Sequence, residues 1–266
     1  MKKYKIIDSH CHIYPDKIAQ KASDSTGTFY DLPSSLDGKI STLLERGEIA
    51  GIDHFVVQSV ATTPKQVSSI NNFIASSVAQ SGGKFTGLGT LHPDSEDMEA
   101  DVNEIISLDL KGVKLHPDIQ KVKLDDSRML KIYELCEGRL PILIHTGDYR
   151  YDYSNPNRMM PILDAYKNLT VIGAHFGGWS IWEEATKKFS KYQNFYVDCS
   201  SSLYAISAEK AKELILEYGT DRVLFGTDYP LWDPEVEIAR FMNVDLTEGE
   251  RQDIFYNNAA KLFNIQ

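Results

Sequence analysis

The 266-residue sequence predicts a single α/β domain, residues 1–266, folded as a (β/α)8 TIM barrel. Short apolar runs rich in β-branched residues alternate with helical patterns along the chain, as in parallel sheets that are covered on both faces. The length is typical of one such barrel, about 250 residues. No glycine-rich phosphate-binding motif follows a predicted strand, and this disfavours the alternative, an open doubly wound sheet.

The predicted strands occur at regular spacing. They are 4–8, 54–60, 85–91, 112–116, 142–145, 171–175, 195–199 and 223–228. Helix-start signals lie in the gaps: Thr63 precedes Pro64, Ser207 precedes an apolar periodic run, and Thr247 with Glu250 forms a capping box. The longest connection follows the first strand and is predicted to be a loop. It either covers the substrate or is a mobile surface loop.

Composition and charge narrow the class of protein. Hydrophobic residues at 42% and charged residues at 25% are an ordinary globular balance that can form a core. A net charge of −10 without a basic stripe disfavours nucleic-acid binding, which requires a cationic surface. Three scattered cysteines indicate a reducing compartment, and no segment resembles a signal peptide or a membrane span. We expect a cytoplasmic protein that binds a small molecule, with a homodimer as an open alternative.

Histidines cluster at one end of the predicted strands. Six of the seven lie at or just beyond a strand's carboxyl end: His10, His12, His92, His116, His145 and His175. A barrel carries its active site at that end. His10 and His12 are one residue apart, so their side chains point the same way from an extended strand. With His145 and Asp228, which end two further strands, they predict a site for one divalent ion. Zn²⁺ is favoured, and Mn²⁺, Fe²⁺ and Co²⁺ are alternatives.

These residues lie in motifs that resemble the amidohydrolase superfamily, and within it the amidohydrolase-2 branch. That branch includes amidohydrolase-related hydrolases and non-oxidative decarboxylases of the aminocarboxymuconate-semialdehyde and resorcylate type. The motifs are IDSHCHIYP (7–15), GVKLHP (112–117), ILIHTG (142–147), IGAHFGGW (172–179), VLFGTDYP (223–230) and NNAAKLF (257–263). The resemblance implies that His10, His12, His145 and Asp228 bind the metal and that His175 is the catalytic histidine. It also implies that NNAAKLF is a closing helix.

The expected chemistry follows from the ion. A bound ion of the zinc type lowers the pKa of coordinated water to about 7. We expect Asp228 to be both a ligand and a catalytic residue, binding through one oxygen and accepting the water's proton with the other. His175 is expected to polarise a substrate carbonyl or to relay protons.

Four further residues are candidates for substrate binding: Lys114, His116, Arg150 and Trp179. The i, i+2 spacing of Lys114 and His116 lets both face the barrel interior. Lys114 has three open roles: a carboxylated bridge between two metals, as in some superfamily members, a cation for a substrate carboxylate, or neutral support. Arg150, with Arg158, is a candidate to pair with a substrate carboxylate. Trp179 either lines the pocket or packs in the core.

Two enzyme classes are compatible with this metal shell. The first interpretation is hydrolysis of a small amide, ester or lactone by metal-activated water. The alternative is decarboxylation or hydration of a small unsaturated or aromatic carboxylic acid, which requires a cationic clamp such as Arg150 or Arg158. A metal-dependent DNase is disfavoured, because Lys114 stands where those enzymes place a carboxylate. A barrel without activity is disfavoured by the complete set of ligands.

Overall fold

Parallel strands form the wall of a barrel in the computed structural model, which describes residues 4–265. The strands of this part are β1 (Ile7–His12), β2 (His54–Gln58), β3 (Phe85–Gly87), β4 (Gly89–Thr90), β5 (Val113–Leu115), β6 (Ile142–Ile144), β7 (Val171–Gly173), β8 (Phe195–Asp198) and β9 (Val223–Leu224). β3 and β4 are halves of one barrel strand that is interrupted at Leu88. The Leu88 amide donates to the Val57 carbonyl (2.9 Å) and the Gly89 amide to the Gly112 carbonyl (2.9 Å), so the wall continues across the interruption.

The wall closes between its first and last strands. The Ser9 amide donates to the Phe225 carbonyl (2.9 Å), and the His12 amide donates to the Tyr229 carbonyl (2.7 Å). These bonds join β1 to the segment that extends β9. The predicted (β/α)8 barrel is therefore confirmed, with all of its paired strands parallel.

Helices connect successive strands. In the described part they are α1 (Asp16–Tyr30), α2 (Ile40–Ala50), α3 (Val67–Gln80), α4 (Met98–Ser107), α5 (Pro117–Gln120), α6 (Ser127–Cys136), α7 (Pro156–Ala165), α8 (Trp182–Phe189), α9 (Ala208–Tyr218), α10 (Pro234–Met242), α11 (Glu248–Gln252) and α12 (Asn258–Phe263). The predicted caps are confirmed: Ser207 accepts the Lys210 amide at the start of α9, and Thr247 with Glu250 forms the capping box of α11. Within residues 4–265 no helix has the length and apolar character needed to span a membrane.

The connection after β1 is not the predicted loop. It contains α1, a helix of 15 residues whose buried residues are Ala19, Ser23, Gly27 and Tyr30. This stripe has helical spacing, but three of its four residues are small. The apolar periodicity that normally reveals a helix is therefore weak here. Gly27 is small for a reason, because a Cβ would lie 2.6 Å from the Leu32 carbonyl oxygen.

The barrel interior has an apolar half and a polar half. Near the amino ends of the strands, alternate residues fill the interior, among them Ile7, Val56, Leu88, Leu143, Ile172 and Leu224. Ala259 and Phe263 of α12 pack against this layer, in agreement with the closing helix that the NNAAKLF motif implies. Polar side chains occupy the carboxyl ends of the strands, so the apolar layer forms the base on which the candidate site rests.

Candidate metal centre and active site

Three of the four predicted metal ligands converge on one point. His10 Nε2 lies 3.2 Å from His12 Nε2 and 3.3 Å from Asp228 Oδ1, and His12 Nε2 lies 3.6 Å from the same oxygen. Donor atoms at about 2.1 Å from a tetrahedral ion are about 3.4 Å apart. The three atoms therefore match three corners of such a site, and their two-nitrogen, one-oxygen chemistry suits a divalent transition metal.

Backbone irregularities in β1 and at Asp228 direct the three donor side chains into the barrel. The pairing of β1 with β2 shifts register between Asp8 and Cys11, at the position of His10. Asp228 has φ +60°, a left-handed conformation that is uncommon for a residue with a Cβ. Its Oδ2 accepts a hydrogen bond from the Ser201 hydroxyl (2.5 Å), which leaves Oδ1 facing the histidines.

A buried carboxylate prepares His10 as a ligand. Asp198 Oδ2 lies 2.9 Å from His10 Nδ1, so the proton of the neutral ring is held at Nδ1 and the Nε2 lone pair remains available. Burial lowers the pKa of both His10 and His12 well below the usual value, with the charge of Lys114 acting in the same direction. Both rings are therefore neutral, as metal ligands must be. Asp198 was not predicted, although its place at the end of the seventh predicted strand was an available signal.

Lys114 lies inside the site, as the spacing predicted. Its Nζ is 3.0 Å from His10 Nε2, and the residue is 1% exposed. Burial lowers the pKa of Lys114 to about 8, while the charges of Asp228 and Asp198 oppose the shift. The amine thus lies beside the free lone pair of His10, where burial disfavours positive charge and the carboxylates of Asp228 and Asp198 favour it. The two carboxylates support the fit of a cation to the three donors.

His175 lies beside the three donors, as predicted. Its ring stacks on that of His10 with 5.2 Å between centroids, and its Nδ1 donates to the Ser200 carbonyl (3.0 Å). Burial lowers the pKa of His175 to about 3, so the imidazole is neutral. With the proton at Nδ1, Nε2 is left as an acceptor. The ring also lines the cavity, where it can reach a substrate.

His145, the fourth predicted ligand, does not join the three donors within the same distance. Its Nε2 lies 3.6 Å from Asp118 Oδ2, and with Asp118 and Asp148 it forms a separate group of atoms within 4.8 Å. The ring stacks on His116 at 4.1 Å, and its Nδ1 is 3.3 Å from Tyr30 Oη. The buried Nε2 has no hydrogen-bond partner among the described residues. Ligation by His145 stays a prediction, and it requires this side chain to rotate.

Arg150 does not line the cavity in this structure, and its role in substrate binding stays a prediction. Its Nη2 donates to Asp148 Oδ2 (2.7 Å) and its Nη1 to the Phe29 carbonyl (2.7 Å). Four aromatic rings surround the guanidinium at 5.1 to 5.6 Å: Phe29, Tyr30, Tyr151 and Trp179. The carboxylate and the rings hold the cation away from the site. Arg158 is likewise engaged at the surface, by Asp125 and Asp152.

Trp179 packs behind the site and does not line it, which corrects the prediction of a substrate contact. It is 7% exposed and belongs to a buried cluster with Tyr30 and Leu231. Its ring meets that of Tyr30 edge-on at 5.0 Å. Trp179 therefore supports Tyr30, and the core-packing alternative is the one observed.

Tyr30, at the end of α1, is a site residue to which the sequence analysis assigned no individual role. Its Oη lies 2.6 Å from His116 Nε2. Since His116 Nδ1 accepts the Ile119 amide (3.3 Å), Nε2 carries the proton of this neutral ring and donates it to Tyr30. Burial raises the pKa of Tyr30 well above the usual value, so the phenol keeps its proton. The only available signal was an aromatic residue in the connection that leaves β1.

A cavity of about 740 Å³ opens above these groups. Its floor contains His10, His12, Lys114, His145, His175 and Asp228. Its walls come from α1 and from the segment that begins α3, and His116 also lines it. Among the described residues no arginine lines this cavity. The arrangement is a metal-type donor set, a neutral histidine and the Lys114 amine beneath a large, mainly apolar cavity whose α1 wall includes Lys21.

A family model described as amidohydrolase matches residues 7–265. A γ-resorcylate decarboxylase from Polaromonas sp. is 28% identical over 123 residues, which cover 39% of this chain. The alignment spans only 37% of that relative's length.

Solved structures share the fold over almost the whole chain. An uncharacterized TIM-barrel protein from Bordetella bronchiseptica has a TM-score of 0.80 at 22% identity, covering 98% of both chains. A dihydroxybenzoic acid decarboxylase from Polaromonas sp., solved with manganese and 2-nitroresorcinol, has a TM-score of 0.74 at 18% identity, covering 98% of this chain and 97% of its own. A probable 2-pyrone-4,6-dicarboxylic acid hydrolase from Acinetobacter baumannii has a TM-score of 0.69 at 15% identity, covering 98% of this chain and 99% of its own. These likenesses establish the barrel, and by themselves they do not assign a reaction.

Proposed function

Because the chain belongs to the amidohydrolase family, we propose that it is a divalent-metal-dependent enzyme that decarboxylates small aromatic hydroxy acids without oxidation. The observation that carries the proposal is the set of His10, His12 and Asp228 donors, with the Lys114 amine beside them, at the floor of the cavity. The γ-resorcylate decarboxylase relative supports this reaction over hydrolysis. The donors suit Mn²⁺ or Zn²⁺, and manganese accompanies the decarboxylase of the same fold.

The reaction sets clear requirements for the chain. The bond between the ring carbon and the carboxylate breaks, CO2 leaves, and a proton takes its place on that carbon. A divalent ion at His10, His12 and Asp228 would supply positive charge for the carboxylate and a neighbouring hydroxyl oxygen. The protein must also orient the ring, exclude water and move the proton.

Residues of this chain meet those needs. Lys114 supplies an amine at the floor of the cavity, where it can hold a substrate oxygen. His175, neutral with Nε2 as the acceptor, can take the proton of the substrate hydroxyl and return it to the ring carbon that loses CO2. The phenolate product then regains a proton from water on release. Tyr30 and His116, which are hydrogen-bonded to each other, also line the cavity.

The test is incubation of manganese- or zinc-loaded protein with hydroxybenzoates in D2O. We expect release of CO2 and one deuterium at the carbon that carried the carboxylate. A panel of lactones, esters and amides is run in parallel. Cleavage of any of these without CO2 release from the acids would contradict the proposal.

Hydrolysis of a small lactone, ester or amide is the second candidate, and one observation favours it. A decarboxylase is expected to clamp its substrate with cations, yet Arg150 is held by Asp148 and Arg158 by surface carboxylates. Lys114 is then the cation nearest the donors. The lactone arm of the same experiment decides between the two activities.

A further inference from the structure

One wall of the cavity is formed by α1, where an apolar row lies beside the polar residues Lys21, Ser25 and Thr26. Ile18, Ala22 and Phe29 line the cavity at helical spacing. A neighbouring face of α1, with Ala19, Ser23 and Gly27, is buried against the protein. Ile18 is 51% exposed, so its side chain is accessible to a molecule in the cavity.

The facing wall is formed by the start of α3, where Ile70 and Phe73 line the cavity. One polar residue of each wall makes its hydrogen bond within its own segment. The Thr26 hydroxyl donates to the Ala22 carbonyl (3.1 Å), and the Ser69 hydroxyl donates to the Gln66 carbonyl (2.9 Å). These residues therefore offer mainly carbon surface to the cavity. We call the space between Ile18, Ala22, Phe29, Ile70 and Phe73 the α1–α3 groove.

The α1–α3 groove belongs to the same cavity as the metal-type donors, so one molecule can contact both. The cavity of about 740 Å³ is in the range that holds drug-sized ligands, about 300–1,000 Å³. A single-ring hydroxybenzoate, with about ten non-hydrogen atoms, is at the small end of that class. Space therefore remains for a further part of the substrate. No described arginine lines the cavity, and its described lining contains two lysines, Lys114 at the floor and Lys21 on α1.

We propose that the α1–α3 groove binds an apolar substituent of the substrate, so the substrate class is aromatic acids that carry an alkyl chain or a second ring. The proposal rests on the proposed function for the acid end of the molecule. Its own support is the apolar lining of the groove and its continuity with the donors. A compact dicarboxylic acid would leave this surface uncovered.

The first test is calorimetric binding of resorcinols that carry alkyl chains from methyl to hexyl to the metal-loaded protein. Each buried CH2 is expected to lower the dissociation constant about fourfold, equivalent to about 0.8 kcal/mol. The gain should stop when the chain outgrows the groove. A dissociation constant that does not change with chain length would overturn the proposal.

Substitutions in the α1–α3 groove test whether the dependence of binding on chain length arises there. Ala22→Phe fills the groove and should weaken binding of hexylresorcinol about tenfold while resorcinol itself changes by less than about twofold. Ile18→Ser, at an exposed position that leaves folding intact, should flatten the dependence on chain length. Leu216→Ser is the matched control, because Leu216 is 52% exposed but lies on α9, away from the cavity. Equal behaviour of Ile18→Ser and Leu216→Ser would contradict the assignment.

Turnover separates this proposal from the proposed function. Alkylated hydroxybenzoates are compared with the unsubstituted acid, and kcat/KM should rise with chain length. If the resorcinols bind with the expected dependence but no acid releases CO2, the decarboxylase assignment fails and the groove assignment stands. If CO2 is released equally from short and long acids, the groove assignment fails and the decarboxylase stands.

Discussion

His10 shows how a residue far away in sequence decides what a metal ligand can do. Asp198, 188 residues along the chain, holds the Nδ1 proton of His10 and leaves Nε2 for the ion. The Ser200 hydroxyl in turn donates to Asp198 Oδ1 (2.5 Å), so the carboxylate is itself fixed. Such hydrogen bonds orient metal ligands and typically change metal affinity by about 10–100-fold when removed.

Substitution of His12 tests the donor set directly. His12→Ala removes one of three converging donors, and we expect most of the bound metal to be lost, as measured by elemental analysis after dialysis. His92→Ala is the control, since His92 is also a strand-end histidine but its Nδ1 accepts the Asp94 amide and the residue does not line the cavity. Metal content that is unchanged in His12→Ala would show that the ion binds elsewhere.

His175 should be needed for turnover but not for metal. His175→Asn keeps a polar side chain of similar reach while removing Nε2, so we expect a loss of about 10²–10⁴-fold in kcat with the metal retained. Elemental analysis and single-turnover assays on the same sample give both values. Loss of the ion together with activity would place His175 among the ligands.

The sequence allowed us to predict site residues whose role follows from their position at a strand end. It was less informative for residues whose role depends on contacts with side chains far away in the sequence. His10, His12 and Asp228 could be predicted because strand ends of one polarity meet at one edge of a barrel. The role of Arg150 could not, because its binding by Asp148 and by rings from α1 depends on contacts between distant segments. The current orientation of His145, set by Tyr30 and the stacked ring of His116, was hidden for the same reason.

At the scale of elements, one cation ties the carboxyl end of α1, the helix over the site, to the segment after β6. Arg150, from the segment after β6, donates to the carbonyl of Phe29 near the end of α1 and packs against the Tyr30 ring at 5.6 Å. Tyr30 then bonds to His116 inside the cavity. The successive contacts of Arg150, Tyr30 and His116 thus connect the end of α1 to the cavity. The sequence did not predict α1, because most of the buried residues of this helix are small.

Removal of the Arg150 cation should make the carboxyl end of α1 more mobile. Arg150→Met eliminates the bond to Phe29 and leaves Asp148 without its partner, so we expect KM to rise several-fold with metal content unchanged. Hydrogen exchange of amides 27–31 should also become faster. Arg158→Met is the matched control, because Arg158 pairs with Asp125 and Asp152 at the surface. The same change in exchange for both variants would show that Arg150 does not anchor α1.

A buried carboxyl on α10 makes the stability of the fold depend on pH. Burial raises the pKa of Glu237 from 4.5 to about 7, although the neighbouring Arg240 opposes the shift. The folded state therefore keeps a proton that the unfolded chain releases between pH 4.5 and 7, and the stability this proton provides is lost as the pH rises through 7. Relative to Glu237→Gln, the wild type should gain about 1 kcal/mol when the pH falls from 8 to 6, measured by urea unfolding. A difference that is constant with pH would refute the raised pKa.

At the scale of the whole molecule, the three metal-type donors lie on both sides of the seam, the junction of β1 with the segment after β9 where the barrel closes. Two come from β1 and one from the segment after β9, and the seam is tied by Asp8, which accepts the Thr227 amide (2.9 Å) and hydroxyl (2.6 Å). An ion that binds all three donors therefore cross-links the first and last strands. The barrel and its closing helix were predictable, because regular strand spacing along the chain determines them.

Removal of the metal should therefore lower global stability. A ligand that binds only the folded state stabilises it by about 2.7 kcal/mol at a free concentration about 100 times its dissociation constant. We expect chelation to lower the melting temperature of the wild type, and readdition of Mn²⁺ or Zn²⁺ to restore it, in scanning calorimetry. His12→Ala should melt at one temperature with or without chelator. An equal response of the wild type and this variant to chelator would exclude a role of the ion at the seam.

The position of the seam also has a consequence for synthesis on the ribosome. His10 and His12 emerge early, whereas Asp228 is translated more than 200 residues later. Until β9 has joined β1, the two histidines have no carboxylate opposite them, and a nascent chain offers the ion only two imidazoles. High-affinity metal binding then comes after closure, and a chain truncated before Asp228 would be released without its ion. Metal uptake in this protein would report that translation of the barrel is complete.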